Sequence, residues 1–214
     1  LTFVCQGSGN NRHKKCLNRQ GVRMTMAAAI ESRVAETRSQ AEATQVADVE
    51  IFRDLAGAEA TWRSLEGPES VLTPYQRFDL LAAWQNNIGV ANGIAPLIAV
   101  ARDARRQPLM LLPLGVGRTR GAAIASFLGD KHITFNMPIC RRDFLASATA
   151  ADIETVLDAL GAPEQAVDAL ALTRQPRQWQ NFANPMTLLP TQDSVNGCPL
   201  MPIAIDTKDR KSVV

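Results

Sequence analysis

Among the 214 residues, the side chains best able to act on a bound molecule gather in Gly129-Asp130-Lys131-His132-Ile133-Thr134-Phe135-Asn136-Met137-Pro138. The segment follows an apolar run and so sits just beyond a strand end, where loops commonly carry sites. His132 can take or give a proton near neutral pH, and Lys131 or Asn136 can hold an anion or a carbonyl. The same residues can instead serve the loop, with His132 and Asn136 satisfying backbone groups. Spacing alone assigns the imidazole no partner. A second group, Gln175 to Pro185, sets Trp179 and Phe182 among several amides. It either lines a groove or forms a short helix over Arg177–Phe182 that packs both rings on a sheet. Cys140 precedes Arg141 and Arg142, whose charge favours a thiolate, but no base accompanies it and it is set aside as a nucleophile.

Arg118-Thr119-Arg120-Gly121-Ala122-Ala123 fits R-x-x-G-x-A, a spacing with which acetyl-CoA-dependent N-acetyltransferases wrap a pyrophosphate in backbone N–H groups. On that reading Arg118, Arg120 and Gly121 bind the cofactor, acetyl-CoA or another acyl-CoA. A phosphate loop should open a helix, where amides and dipole converge, yet Ile124–Leu128 reads as strand. The competing reading is a basic hairpin turn. No metal site is expected, because the chain has two histidines, His13 and His132, and its four cysteines (Cys5, Cys16, Cys140, Cys198) show no C-x-x-C pair.

These residues need a fold to position them, and the composition supplies one: 46% hydrophobic and 21% charged residues suffice for a core. No apolar run reaches the roughly 18 residues of a membrane span, so a soluble protein with no membrane partner is expected, and cysteines that form no disulfide framework agree with a cytoplasmic one. The formal charge of +2 is unevenly spread. Of 23 basic and 21 acidic residues, five basic and no acidic ones lie in 1–23, and two basic and one acidic lie in 209–214. The remaining 24–208 has 16 basic against 20 acidic residues, a net of −4, which argues against a nucleic-acid partner.

Residues 1–48 read as a leader, in part translated upstream sequence, with a natural start at Met24 or Met26. Asp209-Arg210-Lys211-Ser212-Val213-Val214 is what GAT-CGG-AAG-AGC-GTC-GTG encodes, a string that looks like a sequencing adapter read in frame; on that reading 209–214 is an artefact and the frame is cut near Lys208.

Within 49–208 the patterning predicts a strand at Val49–Phe52 and a helix over Ala58–Leu65. Thr73, Pro74 and Gln76 open a helix over Pro74–Ile88 with Leu80, Leu81, Trp84 and Ile88 on one face and Gly89 in the left-handed terminal position. Leu97–Arg102 and Leu109–Val116 read as a hairpin, followed by a strand at Ala122–Leu128. Thr149 with Asp152 caps a helix carrying Ile153, Val156, Leu157 and Leu160, and strands follow at Val167–Leu172 and Cys198–Ile205. The order defines an α/β (α+β) layered domain built on a mainly antiparallel sheet flanked by helices.

Certain strings, in their order, resemble the CelD/BcsL-type proteins of bacterial cellulose biosynthesis gene sets, a FemAB-like branch of the GNAT acyltransferase superfamily. They are Thr73-Pro74-Tyr75-Gln76 leading to Trp84, Leu111-Leu112-Pro113-Leu114, Phe127-Leu128-Gly129-Asp130-Lys131-His132 with Phe135-Asn136-Met137-Pro138, and Gln175-Pro176 with Trp179 and Asn184-Pro185. Gly129-Asp130 departs from the Gly-Gly expected before Lys-His. The resemblance implies a GNAT-like fold and places 49–208 as the first of two such lobes, the second lying after Lys208. It implies transfer of an acyl group from acyl-CoA to an amine or hydroxyl of a small-molecule or glycan-precursor acceptor. It sets Lys131, His132 and Asn136 toward an inter-lobe cleft, and Trp179 is a further substrate or cleft candidate. The alternative is a non-catalytic lobe that recognises an acceptor or a partner.

Overall fold

Two apolar runs joined by a tight turn form the spine of the structure, a computed structural model that describes residues 44–192. β3 (Ala95–Arg102) and β4 (Pro108–Thr119) pair antiparallel, with Ala99 opposite Leu112 and Leu97 opposite Leu114. Asp103 folds the turn between them, its carboxylate accepting from the amides of Arg105 and Gln107. Around this pair lies a seven-stranded sheet in the order β1 (Asp48–Phe52), β3, β4, β5 (Ala122–Phe127), β7 (Ala169–Ala171). β6 (Ile139–Arg141) pairs the first half of β4 and in turn holds β2 (Ser70–Val71). Every pairing is antiparallel except β5 with β7, which runs parallel.

Antiparallel strands often show one wet face and an alternating pattern, but Leu97 to Ala101 and Leu109 to Leu114 are continuously apolar because both faces are covered. Leu97, Ala99, Ala101, Leu112 and Leu114 point to one side, against Ile153, Val156 and Leu160 of α4 (Ala150–Leu160) and Phe144 of α3 (Arg142–Ser147). Ile98, Val100 and Leu111 point to the other, against Trp62 and Leu65, and Phe78, Leu81 and Trp84. This is the mixed α/β architecture with a mainly antiparallel sheet between helices that the patterning predicts.

The expected helices at Ala58–Leu65 and after Thr149 are present as α1 (Leu55–Ser64) and α4. The expected helix over Pro74–Ile88 is divided. Thr73 and Gln76 do form a reciprocal capping box, but it closes a single 3-10 turn, Pro74–Gln76, after which Arg77 is extended. The turn is held from outside: Gln76 accepts the Trp62 indole N–H on its backbone carbonyl and donates its side-chain amide to Phe135 O. α2 (Phe78–Trp84) then starts afresh, its first amide donating to the Glu66 carboxylate at 2.5 Å. It widens into a π turn, Gln85–Gly89, and the left-handed position falls at Gly93 (φ 68°) in place of Gly89. Gly89 is needed for space, since a Cβ there would sit 2.2 Å from Gln85 Oε1. Leu80, expected on the apolar face, is exposed.

The other correction concerns Arg177–Phe182, which is no helix. β8 (Gln178–Trp179) and β9 (Phe182–Ala183) form a hairpin whose turn residues, Gln180 and Asn181, both take positive φ, as a twist-matched two-residue turn requires. Most of the expected leader, the adapter-like end and the strand expected at Cys198–Ile205 lie outside the described residues.

Described chain is already packed before β1. Val46 is buried in the α4-side core, and the fully buried Asp152 accepts from Thr44 Oγ1 (2.7 Å) and from the amides of Gln45 (2.6 Å) and Val46 (3.1 Å). Its second oxygen takes the Thr149 amide and hydroxyl, both at 2.9 Å. Burial opposes the charge, but the hydrogen bonds from Thr44, Thr149 and Val46 outweigh it and hold the carboxyl below the usual carboxylate range. The ionised group therefore contributes its full stabilisation above the unfolded-chain value of about 4, and that contribution is lost as pH falls through the lower folded-state value. Asp152→Asn, which turns one acceptor oxygen into a donor facing Thr149 or Thr44, should cost about 3 kcal/mol at pH 7 and flatten the acid limb of stability below about pH 5. Denaturant unfolding of both proteins at pH 7 and pH 4 measures this; equal stability at pH 7 would overturn it.

Candidate functional site

β5 leaves the sheet at Phe127, and Gly129 turns the chain with φ 99°. A Cβ on Gly129 would lie 2.0 Å from Ile133 Cγ1, so glycine is required for both reasons. The turn winds Asp130–His132 into one 3-10 turn and drops Ile133 into the core beside Trp84 and Leu128. With Ile133 as anchor, Lys131 and His132 are left exposed on the outside. Arg174 braces the turn from behind, donating from Nη1 to Asp130 O at 2.5 Å and to Ile133 O at 3.4 Å.

His132 is oriented by the helix beneath it. Trp84 Nε1 lies 3.2 Å from His132 Nδ1. An indole N–H can only donate, so Nδ1 is an acceptor and the ring proton of the neutral imidazole sits on the outward Nε2. In that form His132 is a positioned hydrogen-bond donor. Lys131 has no carboxylate partner among the described residues.

Asn136, expected to face a cleft with them, is buried. Its amide and side-chain Nδ2 donate to Arg174 O and Thr173 O, fastening the loop to the chain after β7, while Oδ1 has no partner. Trp179 joins the same neighbourhood from β8: its ring lies 5.9 Å from that of Phe135, and its indole N–H donates to Leu72 O. Lys131, His132, Asn136 and Trp179 therefore belong to one region, with the first two outward and the last two bracing it.

Arg118, Arg120 and Gly121 are elsewhere. They form the β4–β5 hairpin, with Arg118 opposite Ala123 and Thr119 opposite Ala122, and a two-residue turn of Arg120 (φ 52°) and Gly121 (φ 91°). No helix follows, so the amides that R-x-x-G-x-A would offer a pyrophosphate stand in or beside a strand ladder. The turn starts β5 and the His132 loop ends it; six residues at about 3.3 Å each separate them by roughly 20 Å. Cys140 is fully buried and burial pushes its thiol pKa up, the opposite of a reactive thiolate. Among the described residues no group of three or more His, Cys, Asp or Glu side chains could hold a metal ion, and no helix is long and apolar enough to cross a membrane.

The site roles the sequence did not bring forward are those of Trp84 and Arg174. Trp84 reads as one more core residue, but a core indole still needs a partner for its N–H, and that is the one signal pointing outward from the helix.

No family model matches the chain, and no curated protein matches it. Among solved structures, an acetyltransferase from Trypanosoma brucei is similar over 72% of this chain and 100% of its own, at 11% identity and a TM-score of 0.33. That likeness is too loose to transfer the role of any residue.

The Trp84 contact predicts that nitrogen-15 spectra of the neutral protein show His132 in the Nε2–H form. Trp84→Phe should restore the tautomer mixture of a free imidazole, and an Nδ1–H ring in the parent would overturn the assignment. Alkylation of the native chain followed by peptide mass mapping should leave Cys140 unlabelled until denaturant is added.

Proposed function

We propose that the chain is a lobe of a GNAT-type acyltransferase whose 129–136 loop receives the acyl group as it passes from acyl-CoA to an amine or hydroxyl acceptor. The observation that supports this reading is the outward Nε2–H of His132, fixed through Nδ1 by Trp84 and flanked by Lys131, which has no carboxylate partner among the described residues. The class of donor, the link to cellulose or exopolysaccharide synthesis and a second GNAT-like lobe after Lys208 come from the resemblance of the quoted strings.

The chemistry suited to such a ring is electrophilic. As the acceptor amine attacks the thioester carbon, a C–N bond forms and the carbonyl pair moves to oxygen. His132 Nε2–H donates to that oxygen and Lys131 adds positive charge beside it. Collapse re-forms the carbonyl, breaks the C–S bond and expels coenzyme A thiolate, which takes the proton released by the amine. The Arg118–Gly121 turn has no part in this step, and no residue of the described chain is assigned to hold the donor.

Release of free thiol from acetyl-CoA in the presence of a panel of amino and hydroxyl acceptors tests the reading on the full chain. His132→Ala should lower kcat by about 10²–10³ with little change in KM, the loss typical of one oxyanion donor. His132→Gln, which keeps an amide N–H donor, should recover part of it. No release above background by the parent, or full activity in His132→Ala, would overturn the proposal; in the second case acetyl-CoA turnover without dependence on His132 makes the loop a recognition surface.

A further inference from the structure

At the opposite end of β5 the sheet opens into a cleft of about 430 Å³ that the acyl-transfer reading does not use. Its walls come from four places in the chain. Arg53 follows β1, Asn92 and Gly93 close the helix after the π turn, Arg118 ends β4, and Gln165 and Ala166 belong to a 3-10 turn after α4. The floor is apolar, made of Ala95, Val116 and Ala123.

The charged side chains that line the cleft are both arginines. Among the described residues neither lining arginine meets a carboxylate: Arg53 Nη2 donates to the backbone carbonyl (2.8 Å) and side-chain oxygen (2.7 Å) of Gln165, and Arg118 Nη1 to Gly121 O at 3.3 Å. Among the described residues both guanidinium groups are thus steadied by neutral oxygens that leave their charge uncompensated and most of their N–H groups unspent. Two carboxylates adjoin the lining residues, Asp54 in sequence and Asp168 through Ala123, and each is spent on a backbone amide. Asp54 caps α1 through the Gly57 amide, and Asp168 accepts the Ala123 amide at 2.7 Å. Two guanidinium groups lining one cleft match the charge and the several acceptor oxygens of a phosphoryl group, and the apolar lining gives its organic portion a surface to lie on.

We propose that this cleft binds a small organic phosphate, its phosphoryl group between Arg53 and Arg118 and its organic part over Ala95, Val116 and Ala123. The assignment is independent of the acyl-transfer reading, whose residues lie at the far end of β5. It also reverses the expectation from R-x-x-G-x-A: Arg118 acts through its side chain, and the glycine only makes the turn.

Phenyl phosphate is a suitable probe, titrated into the full chain at constant ionic strength and without acyl-CoA, with binding followed by calorimetry and by the Arg Nε–H resonances. Saturable binding that shifts the Arg53 and Arg118 signals is expected. Arg53→Gln and Arg118→Gln should each weaken it by about tenfold or more. Arg105→Gln, which removes an exposed charge at the Asp103–Gln107 turn, should leave it unchanged and controls for net charge. Far-ultraviolet circular dichroism reports whether each variant is folded. Absence of saturable binding, equal affinity in the folded Arg53→Gln and Arg118→Gln proteins, or equal weakening by Arg105→Gln would overturn the proposal.

Discussion

The carboxylate of Asp152 joins pieces of chain that no local rule brings together. It caps the helix that covers one face of the sheet and gathers the amides of Gln45 and Val46, more than a hundred residues earlier in sequence. Those amides belong to the approach to the edge strand β1, so one buried charge sets where α4 begins and where β1 enters. A buried charge is tolerable only when fully hydrogen-bonded, and here five donors meet its two oxygens. The apolar faces of β3 and β4 then have a helix in a fixed place to pack against. The geometry at the two ends of β5 is inherited from that arrangement.

With both faces of the central strands covered, the sheet offers ligands only its ends. At one end the chain reverses through Gly129 and holds a histidine outward on an indole; at the other, Arg53, just after β1, and Arg118 of β4 line a cleft with small side chains. The first end is rigid by hydrogen bonding, since Arg174, Gln76 and Asn136 each fasten a different residue of the loop. The second is held mainly through Gln165 and depends on the turn after α4 staying in place.

Much of this was legible where the cause is local. Continuous apolar runs around Asp103–Gln107 announce the hairpin, and Thr149 with Asp152 announces α4, because both signals lie within a few residues of what they produce. The α2 region was half legible: the capping box is real, but Gln76 and Glu66 are recruited by residues distant in sequence, and those contacts break the helix at Arg77. The Trp179 hairpin gave no sign of itself because Gln180-Asn181 lacks the Asn-Gly signature of such turns. The site was legible as a loop and not as a geometry. His132 and its partner Trp84 are 48 residues apart, and only the fold reveals which ring nitrogen faces outward.

The π turn at Gln85–Gly89 sets a rotation as well as a width. Each residue in a helix advances the chain by about 100° and 1.5 Å, so the extra residue accommodated there works like a gear setting for everything downstream. Removing it would make a more regular helix, yet it would swing Asn92 and Gly93 about a quarter-turn away from the arginine cleft and pull against the start of β3. The irregularity is thereby locked in by its surroundings: in any lineage carrying this architecture, insertions and deletions should be purged from this stretch even while individual side chains such as the exposed Val90 are free to drift.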